Sequence, residues 1–410
     1  MKSKGLTQFI FVAMLLGIGV GYVLNAYFDT APAYQENITL ISSLFLRLIK
    51  MIIAPLVAST LIVGIAKLGD MKVVGRIGLK TMAWFIFATI ISLSLGMILV
   101  NFFKPGAGLN LPLPDKDTVA GLAKTKINPK DFLTHLVPDS FFMAMSGNEI
   151  LQIIVFSIFF GLACASLPDQ THGLVNAIES ISKVMLKITG YVMNMAPLAV
   201  FAAISAIIAK SGLGVLITYG KLIGEFYLGL FLLWVILYLL GSLWVGKRMK
   251  DLIIGIKESV LIAFSTASSE SAFPQLMQQL EKFGCQKRIV SFTLPLGYSF
   301  NLDGSMMYMT FASLFIAQAY HIEMPLYEQI SLLLTLMVTS KGIAGVPRAS
   351  LVVISGALAQ FHIPEAGLLL LMGIDQLLDM GRSATNVVGN AVATVAVSKW
   401  ENELSESNHG

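Results

Sequence analysis

Five polar residues, Asp375, Asp379, Arg382, Asn386 and Asn390, recur at spacings of 4, 3, 4 and 4 inside a segment otherwise apolar enough to cross a bilayer. On a helix turning about 100° per residue they lie at roughly 0°, 40°, −20°, 20° and 60°, an arc of about 80°. A guanidinium on that arc offers a planar fork to a carboxylate, and a carboxylate one turn away offers a counter-charge to an ammonium group. Charges inside a membrane helix cost roughly 2.5 to 3.5 kcal/mol each, so they turn to a protein-lined cavity and mark a substrate or ion path. The plainer reading is that Asp379 and Arg382 only neutralise each other where two helices touch. That leaves Asp375, Asn386 and Asn390 on the same arc unexplained.

Two further interruptions carry chemistry. In STASSESAFP, residues 265–274, a half-helix starting at mid-membrane points unpaired N–H groups and a positive dipole end inward, and Ser268, Ser269 and Ser271 add short hydroxyls. A carboxylate docks at such a tip, although the same serines serve equally to cap neighbouring backbone. In NLDG, residues 301–304, an amide, a carboxylate and a glycine stand at the centre of an apolar run of about 30 residues. A turn there frees carbonyls and brings Asn301, Asp303, Asn386 and Asn390 within reach of a small cation, or leaves Asp303 to carry a proton. One guanidinium, one carboxylate and one anion-binding tip together complement an acidic amino acid.

The whole chain sets these groups in lipid. Of its 410 residues 56% are hydrophobic and 13% charged, with a mean hydropathy of +0.77, which excludes a soluble globular domain. The net charge of +4 belongs to loop lysines and arginines and gives no sign of nucleic-acid binding. Cys164 and Cys285 form no metal or disulfide motif and read as packing residues. An intramembrane hydrolase is excluded because His135, His172, His321, His362 and His409 fall in loops, membrane ends or the tail, leaving the serines without a base.

Six spans are expected at about 6–27, 38–66, 81–103, 150–167, 174–209 and 213–245, with the polar stretch 104–145 outside. Lys2, Lys4 and the basic loops 67–80 and 247–257 place the N-terminus in the cytoplasm, and the first span stays uncleaved. Residues 252–284 and 326–361 are each two apolar arms too short to span, and read as re-entrant hairpins. A broken span at 289–319 and the polar-faced last span follow them. Hairpin plus broken helix, twice, is an inverted repeat whose interruptions meet at the midplane, the pattern of a secondary transporter; a passive anion channel suits it less. The predicted fold is therefore an all-α polytopic membrane protein with eight transmembrane helices and two re-entrant helical hairpins.

In STASSES (265–271), GYSFNLDGS (297–305), LMVTSKGIAGVP (336–347) and LDMGRSATNVVGN (378–390), the sequence resembles the dicarboxylate/amino acid:cation symporters, most of all their bacterial proton-coupled glutamate/aspartate branch. The resemblance covers nearly the whole chain. It implies an elevator-type symporter of L-glutamate and L-aspartate, homotrimeric, in the cytoplasmic (inner) membrane, with both termini cytoplasmic. It divides the chain into scaffold spans within 1–250, of which the third and sixth move with the transport domain, a transport core at 251–400 and a cytoplasmic tail at 401–410. Carried over, it makes Arg382 the partner of the side-chain carboxylate and Asp379 that of the amino group. Asn386 and the backbone around Ser269 hold the α-carboxylate, Ser305 stands near the side-chain carboxylate, Ser268 and Ser383 also line the substrate site, and Gly345 and Val346 lie in the lid hairpin. Candidate cation or proton positions are Glu270, Gly297, Ser299, Asn301, Asp303, Ser340, Asp375, Asn386 and Asn390. No metal centre or prosthetic group is expected, only the co-transported H+ or Na+.

Departures from the family pattern bear on the ion. Where sodium-coupled members carry a methionine, an aspartate and a threonine, this chain has Leu302, Asn390 and Ala88. Loss of a carboxylate and a hydroxyl weakens a hard-cation site and favours protons. C4-dicarboxylate carriers, the near alternative, lack the acid matching Asp379. Arg348 stands where relatives have glycine and is expected to pair with Glu270 across the closed gate.

Overall fold

The computed structural model describes residues 3–27, 31–66, 71–107, 137–147, 149–211, 219–340, 349–372 and 374–405. Among them every regular element is helical, apart from one antiparallel bridge between Cys285 and Leu404. The elements are α1 (Ser3–Tyr27), α2 (Ala31–Ala66), α3 (Met71–Phe103), α4 (Phe141–Gly147), α5 (Ile150–Ser166), α6 (Pro168–Met193), α7 (Ala196–Ser211) and α8 (Gly220–Val245). They continue with α9 (Arg248–Gly255), α10 (Lys257–Thr266), α11 (Phe273–Phe283), α12 (Lys287–Phe300), α13 (Asp303–Ala319), α14 (Leu326–Thr339), α15 (Ala349–Gln360), α16 (Leu368–Met372) and α17 (Asp375–Trp400).

Long apolar runs become long helices because lipid offers backbone amides no other partner. At 36 residues α2 is about 54 Å long, well beyond a hydrocarbon core of about 30 Å, and must lie tilted. The fifth expected span is two helices, α6 and α7, bent by 53° at Asn194 and Met195. The stretch expected to be a long polar loop ends in a short helix, α4, and its residues 108–136 lie outside those described.

The helices sort by their partners. Helix α1 packs along α7, and α2 packs against α5, α6 and α7. Gly17 and Gly21, one turn apart on α1, lie against the backbone of Phe201 and Ser205, an approach that a side chain would prevent. In the other group α3 packs along α13, and α17 is flanked by α8, α10, α12 and α13. Phe226 of α8 meets Tyr308 and Phe311 of α13 edge-on at 5.6 and 5.5 Å, so buried aromatic rings fasten the flanking helix to the broken one. Helices α1 and α8 turn large apolar side chains such as Phe9, Leu16, Phe231 and Leu243 outward, the surface a lipid phase requires.

Candidate functional site

The site begins at the break between α12 and α13. Pro295 lies inside α12, the helix stops at Phe300, and Asn301 and Leu302 leave helical geometry with ψ of 66° and 62° before α13 starts at Asp303. Leu302 has no side chain to cap the new helix. The cap comes instead from α17, where Asn386 Oδ1 accepts the amides of Gly304 at 2.9 Å and Ser305 at 3.2 Å while its Nδ2 donates to Ser305 Oγ at 3.1 Å. This closeness requires glycine: a Cβ at Gly304 would collide with the backbone of Arg382, and one at Gly389 with the Asp303 carboxylate.

Along the same face of α17 runs a buried ionic chain. Arg382, 2% exposed, donates through Nε to Asp379 Oδ1 at 2.6 Å, and its other fork points at Asp375 Oδ1 from 3.4 Å. Its guanidinium lies over the ring of Tyr308 at 4.4 Å, and the Tyr308 hydroxyl donates to Asp375 at 3.0 Å. Ser383 Oγ donates to Asp379 at 3.3 Å. The plain pairing considered from the sequence is therefore present, but it is one bond of a chain from Tyr308 through Asp375 and Arg382 to Asp379. Asp379 is the end still partly open, its side chain 21% exposed. Around it Tyr227 of α8 donates to the Leu377 carbonyl at 2.7 Å, and Trp234 to Thr385 Oγ1 at 2.8 Å.

One turn deeper lies a neutral and anionic cluster. Asn301 Nδ2 donates to Asp303 Oδ2 at 3.1 Å and to Asn390 Oδ1 at 3.3 Å, and Ser92 of α3 donates to Asp303 Oδ1 at 3.3 Å. Asn301 Oδ1 and Asn390 Nδ2 are buried with no hydrogen-bond partner. Gly297 abuts the Asn390 amide, and Ser299 is buried nearby in sequence. A hard cation asks for several converging oxygens. Here Asn390, which stands in place of the aspartate expected of sodium-coupled members, has its one oxygen engaged by Asn301 and its Nδ2 buried without a partner. The arrangement suits a carboxylate that exchanges a proton better than a sodium cage.

The first hairpin tip turns through Ala267, whose left-handed φ of 49° is unusual for a residue with a side chain. Ser271 Oγ is engaged with Thr266 Oγ1 and the Ser268 carbonyl, both at 2.7 Å, so Ser271 closes the tip. Ser268 and Ser269 are half-buried there, and α10 packs along α17. Glu270 shares a small recess with Ile53 and Val57 of α2, Phe273, Pro295 and Tyr298. Ser340 is buried at the end of α14 and bonds to the Met337 carbonyl at 3.1 Å. Gly345, Val346 and Arg348 lie outside the described residues, as therefore does the expected pairing of Arg348 with Glu270.

The sequence reading missed Tyr308, Ser92, Tyr227, Trp234 and Thr385. Ser92 had the signal of a buried hydroxyl in a span; the others sit in apolar surroundings and announce nothing until their partners, up to 151 residues away, are brought beside them.

Two half-membrane arms followed by a broken helix, a polar last span and buried opposing charges at the break define a secondary transporter. The comparison with known families names it further. The chain belongs to the sodium:dicarboxylate symporter family, whose model matches residues 6–400, and is thus a membrane transporter and not an enzyme. It is 39% identical over 403 residues to the proton/sodium-glutamate symport protein of Bacillus subtilis (strain 168), covering 97% of this chain and 93% of that one. It is 41% identical over 411 residues to the proton/glutamate-aspartate symporter of Escherichia coli (strain K12), covering 96% and 92%. A C4-dicarboxylate transport protein of Anaeromyxobacter sp. (strain K) is 37% identical over 409 residues, covering 98% and 92%.

Proposed function

We propose that the chain imports L-glutamate and L-aspartate together with protons. The carrying observation is the ionic chain on α17, in which the outermost carboxylate, Asp379, is only partly buried while the guanidinium it holds is 2% exposed. An ammonium group arriving at Asp379 takes over its charge and releases one edge of Arg382 to a side-chain carboxylate. The α-carboxylate is held by Asn386, Ser383 and the tip at Ser268 and Ser269, with Gly345 and Val346 as lid. The relatives named as glutamate and glutamate-aspartate symporters support this choice of substrate.

Charge arithmetic supports coupling to cations. Asp375 and Asp379 face one guanidinium, Asp303 lies buried in the neighbouring cluster, and a substrate with one ammonium and two carboxylates adds another negative charge. Such an excess is strongly disfavoured in a low-dielectric interior unless positive charge enters with it. Asp303 and Glu270 are the proton carriers of this reading, and Asn390 and Ala88 are its reason for preferring protons over sodium. The mutual packing of α1, α2 and α5–α7, and of α3 and α8 on α13 and α17, fits a scaffold and a moving unit. We place the protein in the cytoplasmic (inner) membrane as a homotrimer with both termini inside and the transport core at 251–400.

The test is uptake of labelled glutamate into proteoliposomes under an inward pH gradient alone, a sodium gradient alone, or neither. Uptake driven by the pH gradient alone is expected, and uptake only with sodium overturns the ion assignment. The C4-dicarboxylate reading has its own support in the relatives of that name at 37% identity. It predicts that succinate outcompetes glutamate.

A further inference from the structure

Past α17 the chain does not leave the protein. It turns through Asn402, at a left-handed φ of 58°, and residues 403–405 run antiparallel to 284–286. Gln286 donates its amide to the Glu403 carbonyl at 3.2 Å and Ser405 its amide to the Gly284 carbonyl at 3.0 Å. Side chains then reach this short segment from every neighbouring element. Arg76 of α3 donates to Glu401 through Nε at 3.1 Å and a terminal nitrogen at 2.7 Å, and Lys80 pairs with the same carboxylate at 2.6 Å while bonding the Trp400 carbonyl at 2.8 Å. Arg288, at the start of α12, pairs with Glu403. Arg248, at the start of α9, donates to the Ser405 carbonyl at 3.0 Å and the Phe283 carbonyl at 2.8 Å, and lies over the Phe283 ring. Trp400 meets Trp84 of α3 at 5.7 Å and Trp244 of α8 at 5.2 Å, both edge-on.

These contacts join α3, the α8–α9 corner, the returning arm of the first hairpin, α12 and α17. Among the described residues, every one of these contacts lies within the packing group of α3, α8, α12 and α17 and the helices α9 and α11 beside it, apart from α1, α2, α5, α6 and α7. Helices buried in lipid gain little from apolar contact alone, since lipid tails are as apolar as their neighbours, so directional polar contacts at their ends fix how they sit on one another. We propose that residues 400–405 form a permanent clasp that holds α3, α8 and the first hairpin in fixed register on α12 and α17 through the whole transport cycle, with Glu401 and Arg248 as its positioning residues. The clasp rests on the transport reading above, but not on which substrate or ion is carried.

The bridge supplies its own test. Cys285 and Leu404 form the wide, non-hydrogen-bonded pair of an antiparallel ladder, where Cα atoms stand about 4.5 Å apart, within disulfide range. In a Cys164→Ala background, Leu404→Cys oxidised with copper phenanthroline closes the clasp covalently. Uptake by the oxidised protein is expected within about 2-fold of the reduced protein, as for a contact that never opens. Loss of uptake on oxidation, restored by reductant, overturns the proposal. A chain ended after Ser405 should match the full chain, whereas one ended after Trp400 should lose about 10-fold or more in maximal rate with KM changed less than about 3-fold. Equal transport by both truncated chains also overturns it.

If the shorter chain does not fold, E401Q and R248Q should show the same split of rate from KM, with E401D restoring the rate; unchanged rates in E401Q and R248Q count against the clasp. Amide exchange across residues 71–84 gives a readout that needs no transport. It should rise in E401Q, and an unchanged pattern refutes the clasp even if the parent proves inactive, a result that would separately condemn the transport reading.

Discussion

Replacing Asp379 with serine separates the two substrate classes that a dicarboxylate-binding site admits. In the structure this carboxylate holds Arg382 Nε at 2.6 Å and accepts from Ser383 at 3.3 Å, and its side chain is the more exposed partner of the pair. A charge-assisted bond to an incoming ammonium is worth about 1.5 to 3 kcal/mol, so Asp379→Ser should raise KM for aspartate and glutamate by about 10- to 140-fold. Succinate carries no ammonium, and for it the same carboxylate only competes for the guanidinium. Its affinity should stay level or rise. Arg382 keeps Asp375 at 3.4 Å and the Tyr308 face at 4.4 Å, which hold the guanidinium in place in the variant. The assay is competition by unlabelled aspartate and succinate against labelled glutamate under an imposed pH gradient. Equal losses for aspartate and succinate would refute the ammonium assignment and reduce Asp379 to a structural counter-ion.

Three further outcomes follow from the same geometry. Asn390→Asp puts a second carboxylate beside Asn301 and Asp303, and on the proton-coupled reading uptake should then become more dependent on sodium than in the parent, read as the ratio of uptake in sodium and choline media. Gly389→Ala pushes a methyl group into the Asp303 carboxylate and should abolish gradient-driven uptake while the protein still elutes as a folded species; normal uptake would remove Asp303 from the mechanism. Hydrogen bonding from Arg76, followed by that from Lys80, holds the Glu401 carboxyl below its ordinary value of 4.5. Its stabilising contribution is therefore full above about pH 4.5 and is lost as pH falls through the depressed value. The melting temperatures of the parent and E401Q should differ at pH 7 and converge toward pH 3.

Much of this architecture is legible in one sequence because lipid is so restrictive a solvent. Arms of about a dozen apolar residues cannot span, so the two hairpins are visible from length alone. NLDG in mid-span has no explanation except a break, and the polar arc of α17 follows from helical period. What stays hidden is every contact whose two halves look ordinary. Tyr308 is one aromatic among the methionines of α13, and only folding sets its hydroxyl on Asp375 and its face under Arg382. The segment 401–405 reads as a polar tail, since nothing local says that Arg76, Arg248 and Arg288 wait for it. Ser271 shows the opposite difficulty, for its hydroxyl fits an anion site on composition yet is spent on closing the tip.

The cap that Asn386 places on α13 also sets an order of assembly. The amides of Gly304 and Ser305 are made some 80 residues before the side chain that satisfies them. A nascent chain that has emerged only as far as the second hairpin holds a helix start at mid-bilayer with open donors, a state that membrane surroundings penalise. The start of α13 is fully capped only after α17 has been made, so ribosomes that stop short of Asn386 should leave a product recognisable to proteolytic quality control by its uncapped α13.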